Sequence, residues 1–374
     1  MTVFRGAVLR ERGRSRPYGI SRPLEVVELE LPDPGPDELL VKVEAASLCR
    51  SDLSVVTGAR VWPLPMVVGH EAAGRIEAVG SGVARFEPGD KVVLIYLPQC
   101  GTCAACRAGK AWLCDVGMAA NRKGELLTGG TRLVHDGEHL FHHMGVAAFA
   151  EYTIVAEASA VKVPPGLPAK ELCVFGCAVL CGAGTALNTA GIASGETVAV
   201  VGLGAVGLSA ILGARAAGAG RIIAIDRLEA KLPLARSVGA TDTLIADGDA
   251  TDRVAQWTDG GVDHAIEASG TVDGFTTCVG LVRRGGTVTT LGLPGPESFH
   301  ELALASLVAG GITIRGSYLG SCIAARDVPR FISLYEAGEL PTHNLVSHHI
   351  GLDDINEALD RLADGTALRQ VIEF

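Results

Sequence analysis

Apolar and polar residues alternate over short stretches through the first half of the chain. In "LPDPGPDELLVKVEAAS" and "EPGDKVVLIY" a turn rich in Pro, Gly and Asp leads into a run of Leu, Val and Ile, the pattern of short, half-buried β-strands. The pattern changes near residue 197. "TVAVV" is a continuous apolar run, followed by a glycine-rich loop and an Ala-rich helical stretch, and a second β run follows at 221–225. Further runs in "VDHAIEASG", "GGTVTTLGLP" and "GITIRGSYLG" alternate with helical segments, which predicts a doubly wound parallel sheet over residues 179–318. The tail resumes with "HHIGLDDINEALDRLADG", read as helix. The expected fold is α/β, with a parallel-sheet domain at 179–318 inserted in a β-rich domain made of 1–178 plus 319–374. No internal repeat or low-complexity linker appears.

Composition narrows the partners. With 48% hydrophobic and 20% charged residues, the 374-residue chain can build two cores, and disorder is not expected. A formal net charge of −10 argues against nucleic acid and anionic membranes, which bind basic surfaces. The first residues hold arginines but no apolar core of a signal peptide. No uninterrupted apolar stretch reaches the ~18 residues of a spanning helix. The expected location is the cytoplasm, where thiols stay reduced.

Four of the ten cysteines crowd into "CGTCAACRAGKAWLC": Cys100, Cys103, Cys106 and Cys114. Two-residue gaps let neighbouring thiolates face one point, and the longer arm closes a tetrahedron. Four sulfurs suit structural zinc at about 2.3 Å with no open position. Iron–sulfur ligation and disulfides are the weaker readings. A closed site of this kind holds a small lobe together but does nothing to a substrate.

A second, scattered set comprises Cys49, His70 with Glu71, and Cys177. Two thiolates and one imidazole leave one tetrahedral position open, as catalytic zinc requires. Alone, each of these residues reads equally as a small buried or hydrogen-bonded group. The context after Cys177 changes that. Gly202, Gly204 and Gly207 follow the 197–201 run and open a helix, and Asp226 ends the next run, which is the Rossmann dinucleotide fingerprint in its full setting. Gly202 serves the tight turn, Gly204 the approach of backbone to pyrophosphate, and Gly207 close helix–sheet packing. Leu203 and Val206 belong to the same loop. Asp226 accepts from ribose hydroxyls and repels a 2′-phosphate, so NAD is expected; the adjacent Arg227 is the residue that could tolerate NADP.

With "GHEAAG", "PQCGTCAAC", "FAEYTIV", "GLGAVG" and "GLDDINEAL", essentially the whole chain resembles the zinc-dependent medium-chain alcohol dehydrogenases. Several spacings resemble the long-loop branch of liver-type enzymes and thiol-dependent formaldehyde dehydrogenases. The resemblance implies a GroES-like catalytic domain around the Rossmann domain, two zinc ions per chain, and reversible hydride transfer between an alcohol and NAD. It implies Cys49, His70 and Cys177 as catalytic zinc ligands, with Cys181 as rival for the third place and otherwise beside the nicotinamide. Glu71 corresponds to a carboxylate near the zinc, and Asp52 to the carboxylate that orients the ligand histidine. Arg50 and Arg369 correspond to residues on the pyrophosphate and Lys231 to one near the adenosine ribose. Ser269, Leu293 and Leu319 correspond to residues on the nicotinamide half, Tyr96 to one lining the substrate channel, and Ser51 to the first proton carrier. The family's relay histidine three residues after that serine is Ser54 here, so the relay is expected to be shortened or rerouted. The His142–His143 and His348–His349 pairs are expected at the surface or an interface, and Cys173, Cys278 and Cys322 as small packing groups. Asp115 to Ala150 reads as a long loop of the kind that accompanies homodimers. A thiol-adduct dehydrogenase is the alternative activity, with Arg122 and Lys123 as candidate contacts for the conjugate. A non-catalytic protein binding zinc and NAD is the remaining alternative.

Overall fold

This computed structural model describes residues 2–295 and 297–374 and divides into two compact units. The first comprises Met1–Cys177, Ile323–Val328 and Val346–Phe374; the second comprises Ala178–Cys322 and Pro329–Leu345. A single return at residue 319 is therefore too simple. The helix Ala324–Glu336 gives its first turn to one unit and the rest to the other, and an amphipathic pattern carries no label for the core it joins.

The first unit is β-rich. A closed barrel joins Thr2–Leu9, Leu24–Leu31, Leu133–His135, Glu138–His142 and Met66–Val67. A seven-stranded sheet runs Ala160–Lys162, Lys91–Leu94, Ala72–Val79, Glu38–Ser47, Arg369–Glu373, Val346–Ile350, with Tyr152–Ala156 also paired to Glu38–Ser47. Its buried faces share one core with Phe149, Leu39, Ile76 and Ile355. The central strand Glu38–Ser47 is antiparallel to both main neighbours, with Ala46 opposite Ala72 and Ser47 opposite Val371. Its C-terminal end thus meets the N-terminal ends of Ala72–Val79 and Arg369–Glu373. That register brings Cys49, the His70–Glu71 pair and Arg369 to one edge, although they are far apart in sequence.

Residues 115–150 are not a plain loop. They form the helix Asp115–Lys123 and a hairpin of Leu133–His135 with Glu138–His142. Asp136 and Gly137 make its two-residue turn, with φ of 49° and 79°. The hairpin closes the barrel against Leu24–Leu31 and Met66–Val67. Buried Glu38 anchors it by accepting from Arg132 (Nη2–Oε1 2.6 Å) and from the Thr128 hydroxyl (2.6 Å). In the tail, the helix is limited to Ile355–Asp364, and His348–His349 lie in the strand Val346–Ile350.

The second unit is a six-stranded parallel sheet in the order Asp242–Ile245, Arg221–Asp226, Thr197–Val201, Val262–Glu267, Val282–Thr290, Thr313–Gly316. Counted within the unit this is 3-2-1-4-5-6, the dinucleotide-fold order. The inner strands are buried on both faces, which explains their unbroken apolar runs. The edge strand Thr313–Gly316 is exposed along its length.

Candidate metal centres and dinucleotide site

Cys49 leaves the central strand in extended conformation and caps the helix Arg50–Val56. Asp52, in the helix's first turn, returns the cap: its Oδ2 accepts the Cys49 N–H at 2.8 Å. His70 follows Gly69, whose φ is 95° and where a Cβ would lie 2.6 Å from the Phe149 ring, so only glycine fits. Cys177 completes the group. The ligand atoms of Cys49, His70 and Cys177 lie within 4.8 Å of one another, and all three residues are buried. This set takes in Cys177 and not its rival Cys181, which sits half-buried on the helix Ala178–Gly184.

The surroundings fit a dication. The His70 Nδ1 lies 2.8 Å from Asp52 Oδ1, and as the donor there it leaves Nε2 as a lone-pair ligand. The Cys49 thiol is held well below its ordinary range by a hydrogen bond with Cys177, against burial, aided by the Arg369 and His70 charges. Burial works against the charged form of His70, yet Asp52 and then Cys49 hold its pKa high. Burial would likewise raise Asp52, but the His70 charge and the two neighbouring imidazoles hold it below the usual carboxylate range. Two thiols and an imidazole oriented by Asp52 make a sulfur and nitrogen donor set of the kind zinc prefers.

Glu71 is fully buried; one of its oxygens accepts the Ser47 hydroxyl at 3.0 Å and forms an ion pair with Arg369, whose Nε lies 3.1 Å away. Arg369 is buried rather than at the surface, and its Nη1 donates to the Leu48 carbonyl at 3.3 Å. Burial disfavours its charge, but Cys49, Glu71 and Cys177 raise its pKa further still. Its Nη2 has no hydrogen-bond partner among the described residues. Arg50 is exposed, with Nη1 at 3.5 Å from the Leu362 carbonyl. Ser51 is half-buried in the same helical turn. The Ser54 hydroxyl donates back to the Arg50 carbonyl at 2.9 Å, so it serves its own helix. Tyr96 packs edge-on to His70, with ring centroids 5.8 Å apart.

His142 and His143 are not surface residues; both are fully buried. Strand alternation predicts one in and one out. The chain instead turns left-handed at Met144, with φ 51°, immediately after the strand Glu138–His142, which folds the second ring inward too. The His142 Nε2 accepts the Arg132 N–H at 3.2 Å, and burial followed by the Arg132 charge lowers its pKa to about 3. His143 stands beside Asp52 and His70, and no sequence spacing announced that. His348 and His349 stay at the surface, the latter paired with Glu373. Cys173, Cys278 and Cys322 are buried.

The four-cysteine lobe is equally well formed. Cys100 and Cys106 sulfurs are 3.9 Å apart and Cys103 and Cys114 sulfurs 4.0 Å, close to the ~3.8 Å edge of a tetrahedron with zinc–sulfur bonds of about 2.3 Å. None of the four forms a disulfide. Backbone N–H groups of Thr102 and Cys103 point at Cys100 Sγ, that of Cys106 at Cys103 Sγ, and that of Gly117 at Cys114 Sγ. Against burial, the Thr102 hydroxyl and these N–H groups bring Cys100 to about 6. Burial, and then the neighbouring Cys103, push Cys106 up to about 12.

In the second unit the glycine loop follows Thr197–Val201 and the helix Ala205–Ala216 begins after Gly204. A Cβ on Gly207 would sit 1.9 Å from the Gly202 carbonyl oxygen, so packing demands glycine there. A Cβ on Gly204 would meet nothing within 4 Å. The open space at Gly204 is the approach a pyrophosphate needs. Asp226 accepts the N–H of Leu203 at 2.7 Å and of Leu228 at 2.9 Å, and Lys231 Nζ lies 3.5 Å away. Val206 is half-buried and Arg227 exposed. Ser269 donates to Glu267 through N–H and hydroxyl, both at 2.7 Å; Leu293 is exposed; Leu319 is buried with φ 49°. Sequence reading missed Glu267. Buried at the end of its strand, it also takes the Gly270 N–H at 2.7 Å and the Thr290 hydroxyl at 2.9 Å, and so ties two loops of the nucleotide end together.

A buried Cys–His–Cys group, a closed four-cysteine lobe and a dinucleotide loop define a zinc-dependent, nicotinamide-linked dehydrogenase. Comparison with known proteins agrees. Residues 35–165 match the alcohol dehydrogenase GroES-like domain and residues 205–337 the zinc-binding dehydrogenase domain. The class-3 alcohol dehydrogenase of Myxine glutinosa is 39% identical over 362 residues, covering 94% of this chain and 95% of that protein. The S-(hydroxymethyl)glutathione dehydrogenase of Synechocystis is 36% identical, covering 96% and 98%. The crystal structure of benzyl alcohol dehydrogenase from Acinetobacter calcoaceticus matches with TM-score 0.93 at 32% identity, covering all of both chains. The chain belongs to the zinc-dependent medium-chain alcohol dehydrogenase family and is an oxidoreductase acting on alcohols and their carbonyl partners.

Proposed function

We propose that the chain interconverts an alcohol and its aldehyde or ketone with NAD, at a centre held by Cys49, His70 and Cys177. The observation that carries this is the convergence of those three donors, with Asp52 committed to the far side of the imidazole. When bound, zinc supplies a Lewis acid beside the substrate oxygen and NAD supplies the hydride acceptor. Asp52 keeps the His70 ring in one tautomer and orientation. The Glu71–Arg369 pair balances the charge behind the thiolates. Ser51 would accept the departing proton at its hydroxyl oxygen while releasing its own hydroxyl proton to solvent water, because the Ser54 hydroxyl is tied to the Arg50 carbonyl. Tyr96 gives the pocket an apolar wall.

In the second unit, Gly202, Leu203, Gly204, Val206 and Gly207 would bind the pyrophosphate and Lys231 would lie by the ribose; in the first unit, Arg50 and Arg369 are the side chains proposed for phosphate oxygens. Asp226 favours NAD through its charge. Ser269, Leu293, Leu319 and Cys181 would contact the nicotinamide half. Cys100, Cys103, Cys106 and Cys114 would hold the second, structural zinc. A cytoplasmic homodimer is the proposed form, supported by the exposed edge strand Thr313–Gly316 beside exposed Leu304, Val308 and Ile314.

A second reading, oxidation of a thiol–formaldehyde adduct, is favoured by the names of the curated relatives and by the exposed Arg122 and Lys123. One assay separates them: reduction of NAD and of NADP by a panel of primary and secondary alcohols, and by formaldehyde with and without glutathione. Turnover of simple alcohols with NAD supports the first reading; turnover of formaldehyde only when thiol is present would replace it with the second.

A further inference from the structure

The His143 side chain is fully buried and is committed to nothing in the reaction derived above. Its Nδ1 lies 3.1 Å from Asp52 Oδ1, the oxygen that also faces His70 Nδ1 at 2.8 Å. The ring stands edge-on to His70 with centroids 5.2 Å apart, and edge-on to Trp62 at 5.4 Å. The segment is fixed to the loop that carries His70: Ala148 N–H donates to the Gly69 carbonyl at 3.0 Å and Phe149 N–H to the Val68 carbonyl at 3.0 Å. One carboxylate therefore faces two imidazoles, and one imidazole is braced by the other.

We propose that His143 is a positioning residue for the Cys49–His70–Cys177 centre. Its Nδ1 holds the Asp52 oxygen that also faces His70 Nδ1. The ring plane that His70 presents to a metal is then set by Asp52 and His143 together rather than by Asp52 alone. Partners of this kind outside the ligand set carry much of a metal site's affinity. The proposal rests on the reading that these three residues bind zinc.

The test compares H143F, H143N and H143Q in the zinc-loaded, full-length protein. Release of each zinc to an excess of a chelator is timed, together with metal content per chain. Phe keeps the ring edges and loses the nitrogen; Asn carries its amide nitrogen near the Nδ1 position, and Gln near the Nε2 position. The expected result is that one zinc leaves H143F and H143Q about tenfold faster, while H143N stays within about threefold of the parent. The four-cysteine zinc leaves all of them at the parental rate, which also reports that the variants are folded. If H143F does not fold, the Asn–Gln pair decides alone. Equal release from parent, H143N and H143Q would overturn the role of His143 while leaving the zinc centre intact. A third metal in the parent that disappears in H143F would overturn it in favour of direct ligation. A parent holding only the four-cysteine zinc would overturn both this proposal and the functional reading beneath it.

Discussion

Replacing Arg369 with Leu removes the cation paired with Glu71, and both side chains are at most 4% exposed. The carboxylate would keep the Ser47 hydroxyl at 3.0 Å, a neutral donor. Stripping one partner from a buried pair leaves an uncompensated charge and costs about 3–5 kcal/mol. Neutralising both groups removes that penalty, so R369L/E71Q is expected to lose less than the sum of its single variants, with a coupling of about 1–3 kcal/mol. Trp62 and Trp112 lie in the unit that holds the pair and Trp257 in the other. Urea unfolding followed by tryptophan fluorescence in a W257F background, with zinc saturating, therefore reads the relevant unit alone. A loss below about 1 kcal/mol in R369L, or additive losses in the double variant, would refute the claim that the pair is desolvated and mutually dependent.

His142 gives a pH prediction. Its folded value of about 3 lies below the roughly 6.5 of an unfolded histidine, so the unfolded chain alone takes up this proton as pH falls between them. Stability from this group is full above pH ~6.5 and declines by about 1.4 kcal/mol per pH unit towards pH ~3. H142F should flatten the pH dependence of the urea-unfolding free energy by one proton over that window; an unchanged pH dependence would contradict the burial argument. C103S should lose one zinc per chain and expose residues 100–114 to limited proteolysis while keeping the other zinc; loss of both metals would show that the two centres are not independent. The proposed homodimer predicts that the parent sediments as a dimer and I314E, on the exposed edge strand, as a monomer; a monomeric parent would overturn the dimer, and a dimeric variant would move the interface elsewhere.

What could be read in the sequence follows how local the physics is. The four-cysteine lobe was legible because its ligands sit within fifteen residues, where spacing nearly dictates geometry. The glycine loop was legible because strand, turn, helix and Asp226 follow one another without interruption. Cys49, His70 and Cys177 were nominated from their residue types and the dinucleotide motif that follows Cys177, with the resemblance choosing Cys177 over Cys181. What brings the first two together is the antiparallel register of Glu38–Ser47 with Ala72–Val79, a property of pairing that no single segment carries. His142 and His143 were expected at the surface or an interface because the two zinc sites were already supplied with ligands; the pair is buried at the end of the strand Glu138–His142, a tertiary placement that ligand counting does not report. The hairpin inside 115–150 was missed although its Asp136–Gly137 turn is a strong signal, because its strands are only three and five residues long.

The most direct test is anomalous diffraction at the zinc edge from crystals of the purified, active protein. Two peaks per chain are expected, one enclosed by Cys100, Cys103, Cys106 and Cys114, the other touching Cys49, His70 and Cys177 and leaving one side open. A single peak in the four-cysteine lobe, or a second peak away from those three side chains, would contradict that expectation.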